Sequence, residues 1–114
     1  MSAHTDAARQ TITGLDVGAN GTAVCTYCKS ELGEGDNVTA YAYRCAGEQV
    51  LSVARLFCAE CNQDVIEYPS CGCHEWLATA RLGLTSDVAF QSHTLTLLDV
   101  TIIDASSPNE GEML

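Results

Sequence analysis

The sequence predicts a mainly β domain (small α+β): a hairpin stapled at its base, followed by additional antiparallel strands. Three observations carry that expectation. Two Cys-x-x-Cys pairs, Cys25/Cys28 and Cys58/Cys61, bracket 29 residues that read as two strands and a turn. The runs VTAYAYRC and HTLTLLDVTIID are rich in β-branched and aromatic residues, which fit a pleated, half-buried surface. The chain is 114 residues long, enough for a single domain with one modest core.

Taken in order, residues 1–10 are polar and read as a flexible N-terminus. Thr11 to Val24 holds three glycines and the Asn20-Gly21 step, a turn between short extended pieces. CTYC (25–28) follows, then KSELGEGDN as a loop. Val38 to Cys45 is a strand, AGEQ a turn, and VLSVARLFC the returning strand, which makes a hairpin over about 38–57 closed by CAEC at 58–61. NQDVIEY reads as a short helix or turn stopped by Pro69.

In EWLATARLGL (75–84), Trp76, Ala78, Ala80, Leu82 and Leu84 alternate with mostly polar neighbours, which favours a strand. The Ala and Leu content makes helix the competing reading. TSDVAFQS is a connection, and residues 93–104 form a last strand apolar on both faces, as for a well-covered strand. One β-rich zinc-binding domain is therefore expected over 11–104, with a flexible acidic tail at 105–114.

The cysteines carry the chemistry. Two thiolates separated by two residues curl around one ion with backbone amides aimed at the sulfurs. Two such knuckles supply the tetrahedral Cys₄ set of a closed structural zinc site. A hairpin starts and ends at the same edge, so it returns Cys58 and Cys61 to Cys25 and Cys28. Cys45, Cys71, Cys73 and His74 form a second candidate zinc set, with Gly72 allowing a tight bend. His4 and His93 read as surface histidines, Glu60 as exposed, and Trp76 as a core or interface anchor. Asp16, Glu31, Glu34 and Asp36 lack EF-hand spacing and read as solvated surface.

Composition narrows the function. Fifteen acids against five basic residues give a formal charge of −10, and Lys29 is the sole lysine. Scattered carboxylates with scarce lysine suit a surface hydrated in concentrated salt, and they disfavour phosphate-backbone binding. No run approaches the roughly 20 apolar residues of a membrane span, and no basic-then-apolar leader is visible. A cytoplasmic protein with reduced thiols is expected. GxSxG, HExxH, GxxxxGK[ST] and the HxE…PCxxC deaminase pattern do not occur.

The stretch CTYCKSELGEGDNVTAYAY…RLFCAEC resembles the treble-clef and zinc-ribbon class of zinc fingers. It is similar in particular to small acidic zinc-binding proteins of haloarchaea, with a G-D-x-V step at Gly35, Asp36 and Val38 and the ending LTLLDVTIIDASSPNEG. The resemblance spans about 25–107, and it implies Cys25, Cys28, Cys58 and Cys61 as ligands of one Zn²⁺. That group is mostly of unknown function.

These readings converge on a non-enzymatic structural-zinc module, a protein-interaction or regulatory component of a halophilic cytoplasm with a protein partner. A nucleic-acid-associated zinc ribbon is the alternative. A thiol or metallo-enzyme using the Cys71-Gly72-Cys73-His74 segment is the second.

Overall fold

The computed structural model describes residues 3–19, 22–66, 72–87 and 92–106. In chain order its elements are α1 (Ala3–Ile12), β1 (Asp16–Ala19), β2 (Ala23–Val24), β3 (Glu31–Leu32), β4 (Asn37–Cys45), β5 (Ser52–Cys58), β6 (Cys73–Asp87) and β7 (Ser92–Ser106). Five strands form one antiparallel sheet in the order β1-β7-β6-β4-β5, while β2 and β3 pair separately. The domain is mainly β, with the expected hairpin made by β4 and β5.

Side-chain alternation decides which face is buried. Val38, Ala40 and Ala42 lie opposite Ala80, Ala78 and Trp76, and all six are buried. Directly opposed residues point to the same side of a sheet, so these pairs line one face. Leu82, Leu95 and Leu97 extend that apolar face across β6 and β7. It is covered at one end by Ala8 and Ile12 of α1 and at the other by Ala23, Cys25 and Leu32 around β2 and β3.

The other face carries Thr39, Tyr41, Tyr43, Glu75 and Leu77. The chain leaving β5 crosses it, and the Ile66 N–H donates to Asp104 Oδ2 at 2.7 Å. Phe57 and Leu77 are buried on this side without joining the main core.

Residues 3–10, part of the N-terminus expected to be flexible, instead contribute most of α1. The reason is tertiary: Ala8 and Ile12 dock into the core, and burial of one apolar stripe stabilises a helix too short to persist alone. Gly14, at φ 88°, ends it in the left-handed conformation glycine adopts without a Cβ penalty. Its N–H donates to the Leu97 carbonyl at 2.7 Å, and Leu97 N–H donates back to Leu15 at 3.1 Å, so the helix terminus is fastened to β7.

Strands also run further than expected. Thr85, Ser86 and Asp87, assigned to a connection, pair with Thr94, His93 and Ser92. Ala105 and Ser106, assigned to the tail, pair with Trp76 and Glu75. The loop after Cys28 contains β3, whose Leu32 and Glu31 pair with Ala23 and Val24. Residues 75–84 are strand. Residues 62–66 form bends with no helix. The Asn20-Gly21 turn, Pro69, Cys71 and the tail from 107 lie outside the described residues. No described helix is long and apolar enough to cross a membrane.

Candidate metal centre

The β4–β5 hairpin ends where it began: Val38 is the register partner of Cys58. That pairing sets the second knuckle beside the start of β4. The first knuckle is shaped by the small β2–β3 pair that flanks it. Cys25 N–H donates to the Ser30 carbonyl at 2.9 Å, and Lys29 N–H to the Cys25 carbonyl at 3.0 Å. Lys29 takes φ 67°, the left-handed turn that lets the chain double back after Cys28.

Two bonds then tie this knuckle to the sheet edge. Thr26 N–H donates to the Leu56 carbonyl at 2.7 Å, and Leu56 N–H donates to Thr26 Oγ1 at 3.1 Å. Cys61 N–H closes the second knuckle onto the Cys58 carbonyl at 3.1 Å.

As a result Cys25, Cys28, Cys58 and Cys61 place their four Sγ atoms within 4.8 Å of one another, and they form a candidate site for one metal ion. Cys28 and Cys58 sulfurs are 3.7 Å apart. A tetrahedron with metal–sulfur bonds of about 2.3 Å has edges of about 3.8 Å, so the donor set fits such an ion with small adjustments. Among the described residues no other group of three or more His, Cys, Asp or Glu side chains gathers this way, the acids Asp16, Glu31, Glu34 and Asp36 included.

The electrostatics of the four sulfurs bear on which ligand they suit. Burial opposes ionisation of Cys25, which is fully enclosed, but the N–H groups of Cys28, Cys58 and Tyr27 outweigh it. With the Cys28 thiol they hold Cys25 down to about 6, and the Cys58 N–H lies 3.4 Å from its sulfur. The Ser30 hydroxyl, 3.0 Å away, lowers Cys28. Burial, then the neighbouring sulfurs of Cys58, Cys28 and Cys25, pushes Cys61 up to about 12. Four thiols this close cannot all ionise against their mutual repulsion; a cation at their centre would relieve it.

The second expected zinc set is corrected. Cys45 sits directly opposite Cys73 in the β4–β6 ladder, with Cα atoms 3.8 Å apart, and the two form a disulfide. Neither is a free ligand or a free nucleophile, and neither is the reduced thiol expected from sequence. His74 stacks on Trp76, ring centroids 4.1 Å apart, and Cys71 lies outside the described residues. His93 is exposed in β7, Glu60 is exposed between Cys58 and Cys61, and the side chain of His4 is outside the description. Trp76 is a core residue, 2% exposed.

What sequence reasoning missed is the cross-strand partnership of Cys45 and Cys73. Cys45 closes a strand legible in the sequence, but Cys73 reads there as part of a turn, and only the β4–β6 register sets the two opposite each other.

Residues 2–108 match the family described as Domain of unknown function (DUF8112), and the chain belongs to that family. Neither the curated proteins nor the solved structures compared with the chain include a match.

Proposed function

We propose that this member of the DUF8112 family is a structural-zinc module without catalytic activity, acting as a protein-interaction or regulatory component in a salt-rich cytoplasm. One observation carries the reading: four sulfurs from two knuckles converge within 4.8 Å. Soft thiolates in tetrahedral array select zinc or iron, and four protein ligands are the mark of a structural site, since catalytic zinc keeps a position for water. The ion would tie the β2–β3 unit to the edge of β5, with a contribution to folding on the order of 10 kcal/mol.

Support for a protein partner comes from the same knuckle. Tyr27 is 76% exposed and Val24 53% exposed on a chain of net charge −10. An exposed aromatic with an apolar neighbour suits a protein interface, whereas the charge opposes a nucleic-acid backbone.

Native mass spectrometry with metal analysis is the test. The expected result is one zinc per chain, lost in Cys25→Ser and in Cys58→Ser and kept in Cys45→Ala/Cys73→Ala. A chain purified without metal, or one whose metal survives both serine substitutions, would refute the site. For the partner, Tyr27→Ala with Val24→Asp should release proteins that co-purify from the native host while leaving zinc content unchanged. Retention of DNA or RNA at low salt, weakened by Lys29→Ala, would favour the zinc-ribbon reading instead.

A further inference from the structure

β5 is an end strand of the five-stranded sheet, and only part of its outer edge is used. Leu56 turns both its N–H and its carbonyl away from β4, where Thr26 bonds them, and the Cys58 N–H points to Cys25 Sγ. Backbone direction alternates along a strand, so at the pairs Leu56–Ala40 and Cys58–Val38 the two strands do not bond each other. Ala42 stands two residues beyond Ala40, and its partner is Val53, because the β5 register slips by one residue after Arg55. Val53 therefore also turns its N–H and carbonyl outward. Among the described residues no backbone bond from outside the ladder reaches them.

Beyond this edge lies a cleft of about 300 Å³ walled by residues 53–56 on one side and by Asp16, Val17 and Val24 on the other. β1 is the opposite end strand of the sheet, so the cleft lies where the two ends approach without pairing. Exposed apolar side chains frame it. Val24 is on its wall, Tyr27 follows the Thr26 that bonds Leu56, and Val50, 71% exposed, comes two residues before β5. Open main-chain groups beside exposed apolar side chains suit strand addition, in which an incoming extended segment takes the backbone bonds and seats alternate side chains. Charge selects the occupant. The chain carries −10, Asp16 is on the wall and Glu31 sits directly across from Val24. The one cation on the wall, Arg55, is engaged over the Tyr41 ring at 5.4 Å. A second copy would bring like charge to this edge, whereas a basic segment complements it.

We propose that the open stretch of β5 at Val53 binds an extended, basic segment of a partner protein as an added strand, with alternate apolar side chains against Val17 and Val24. The inference rests on the protein-interaction reading above and names how the partner is held. Unlike ion pairs between exposed charges, main-chain bonds are not screened by concentrated salt.

The probe is a short blocked peptide of alternating valine and lysine, titrated by NMR into the full metal-loaded chain. A control peptide methylated on every backbone nitrogen keeps the side chains and charge but loses every main-chain donor. The parent peptide should saturate below about 1 mM and slow exchange of the Val53 amide several-fold, while the methylated one binds roughly tenfold more weakly. Val53→Pro should weaken the parent peptide by a similar factor with melting temperature and metal content near the parent's, because proline is tolerated on an edge where its missing N–H faces away from the ladder. If that variant does not fold, Val53 protection and the methylated peptide decide alone. No saturation by about 1 mM, equal binding of the methylated peptide or of a valine–glutamate peptide, or an unprotected Val53 amide overturns the proposal. So does a dimer that protects Val53 without peptide. Should Val53→Pro still retain the host proteins that Tyr27→Ala with Val24→Asp releases, strand addition falls and the partner reading stands. Should no host protein depend on Tyr27 and Val24 while the peptide binds as expected, the partner reading falls and the receptive edge stands.

Discussion

Tyr41 donates its phenolic hydrogen to Glu75 Oε2 on the face of the sheet away from the main core. Glu75 is 1% exposed, and a carboxylate so enclosed requires donors around it. Burial first, then the bond to Glu75 and its charge, push Tyr41 up to about 12, while the Arg55 guanidinium, 5.4 Å from the ring centroid, pulls the other way. The sign follows from the raised value. Between the ordinary tyrosine range near 10 and about 12, the folded chain keeps a proton that the unfolded chain has lost. The contribution of Tyr41 to stability is therefore complete below about pH 10 and disappears as the pH climbs through 12. A phenolate absorbance titration should show one of the four tyrosines ionising late, and Tyr41→Phe should abolish that late phase. In urea at neutral pH the same variant should lose about 1 kcal/mol, because Glu75 then lacks one donor. A late phase that survives the substitution would assign it to another tyrosine.

β6 shows what could be read from the chain and what could not. Its alternation at Trp76, Ala78, Ala80 and Leu82 marks a strand, and the competing helix loses because β4 and β7 pair with it on both sides. The cysteine cluster was legible for a similar reason: both knuckles are local motifs, and a hairpin is the shortest way to join them. α1 was not legible, because its packing depends on Ala8 and Ile12 meeting a sheet built some 70 residues later, and composition alone shows only a polar segment. The Cys45–Cys73 bond was hidden likewise, since it needs the β4–β6 register. That bond closes a loop with a sequence separation of 28 across the β4–β5 hairpin. Cross-links of this span stabilise by roughly 3–4 kcal/mol, mainly by restricting the unfolded chain. Cys45→Ala/Cys73→Ala, compared with the parent by urea unfolding without reductant and with zinc present, should fall by about that amount. Equal midpoints would mean that the two thiols stay reduced in solution.

Across the whole molecule the two staples sit at opposite ends of β4, the disulfide at Cys45 and the cysteine cluster beside Val38. Between them the longest ladder, β6 with β7, runs from Glu75–Ser106 to Asp87–Ser92 and contacts neither staple along most of its length. Removing the ion proposed for the cluster should therefore not dissolve every part equally. The first knuckle is held to β5 by the Thr26–Leu56 pair of bonds and by the cluster, and Cys25 is fully buried in the core it helps to cover. Without a cation, four crowded thiols repel as they ionise, and one end of the apolar face opens. Hydrogen exchange on chelator-treated protein should thus speed up first at residues 23–36 and 52–61, with the centres of β6 and β7 last to exchange. The melting temperature should fall with them, because Ala23, Cys25 and Leu32 belong to the same core as Leu82 and Leu97. A uniform increase along the chain would make the ion a keystone for the entire sheet. An unchanged exchange map and melting temperature would remove metal from the account of this fold.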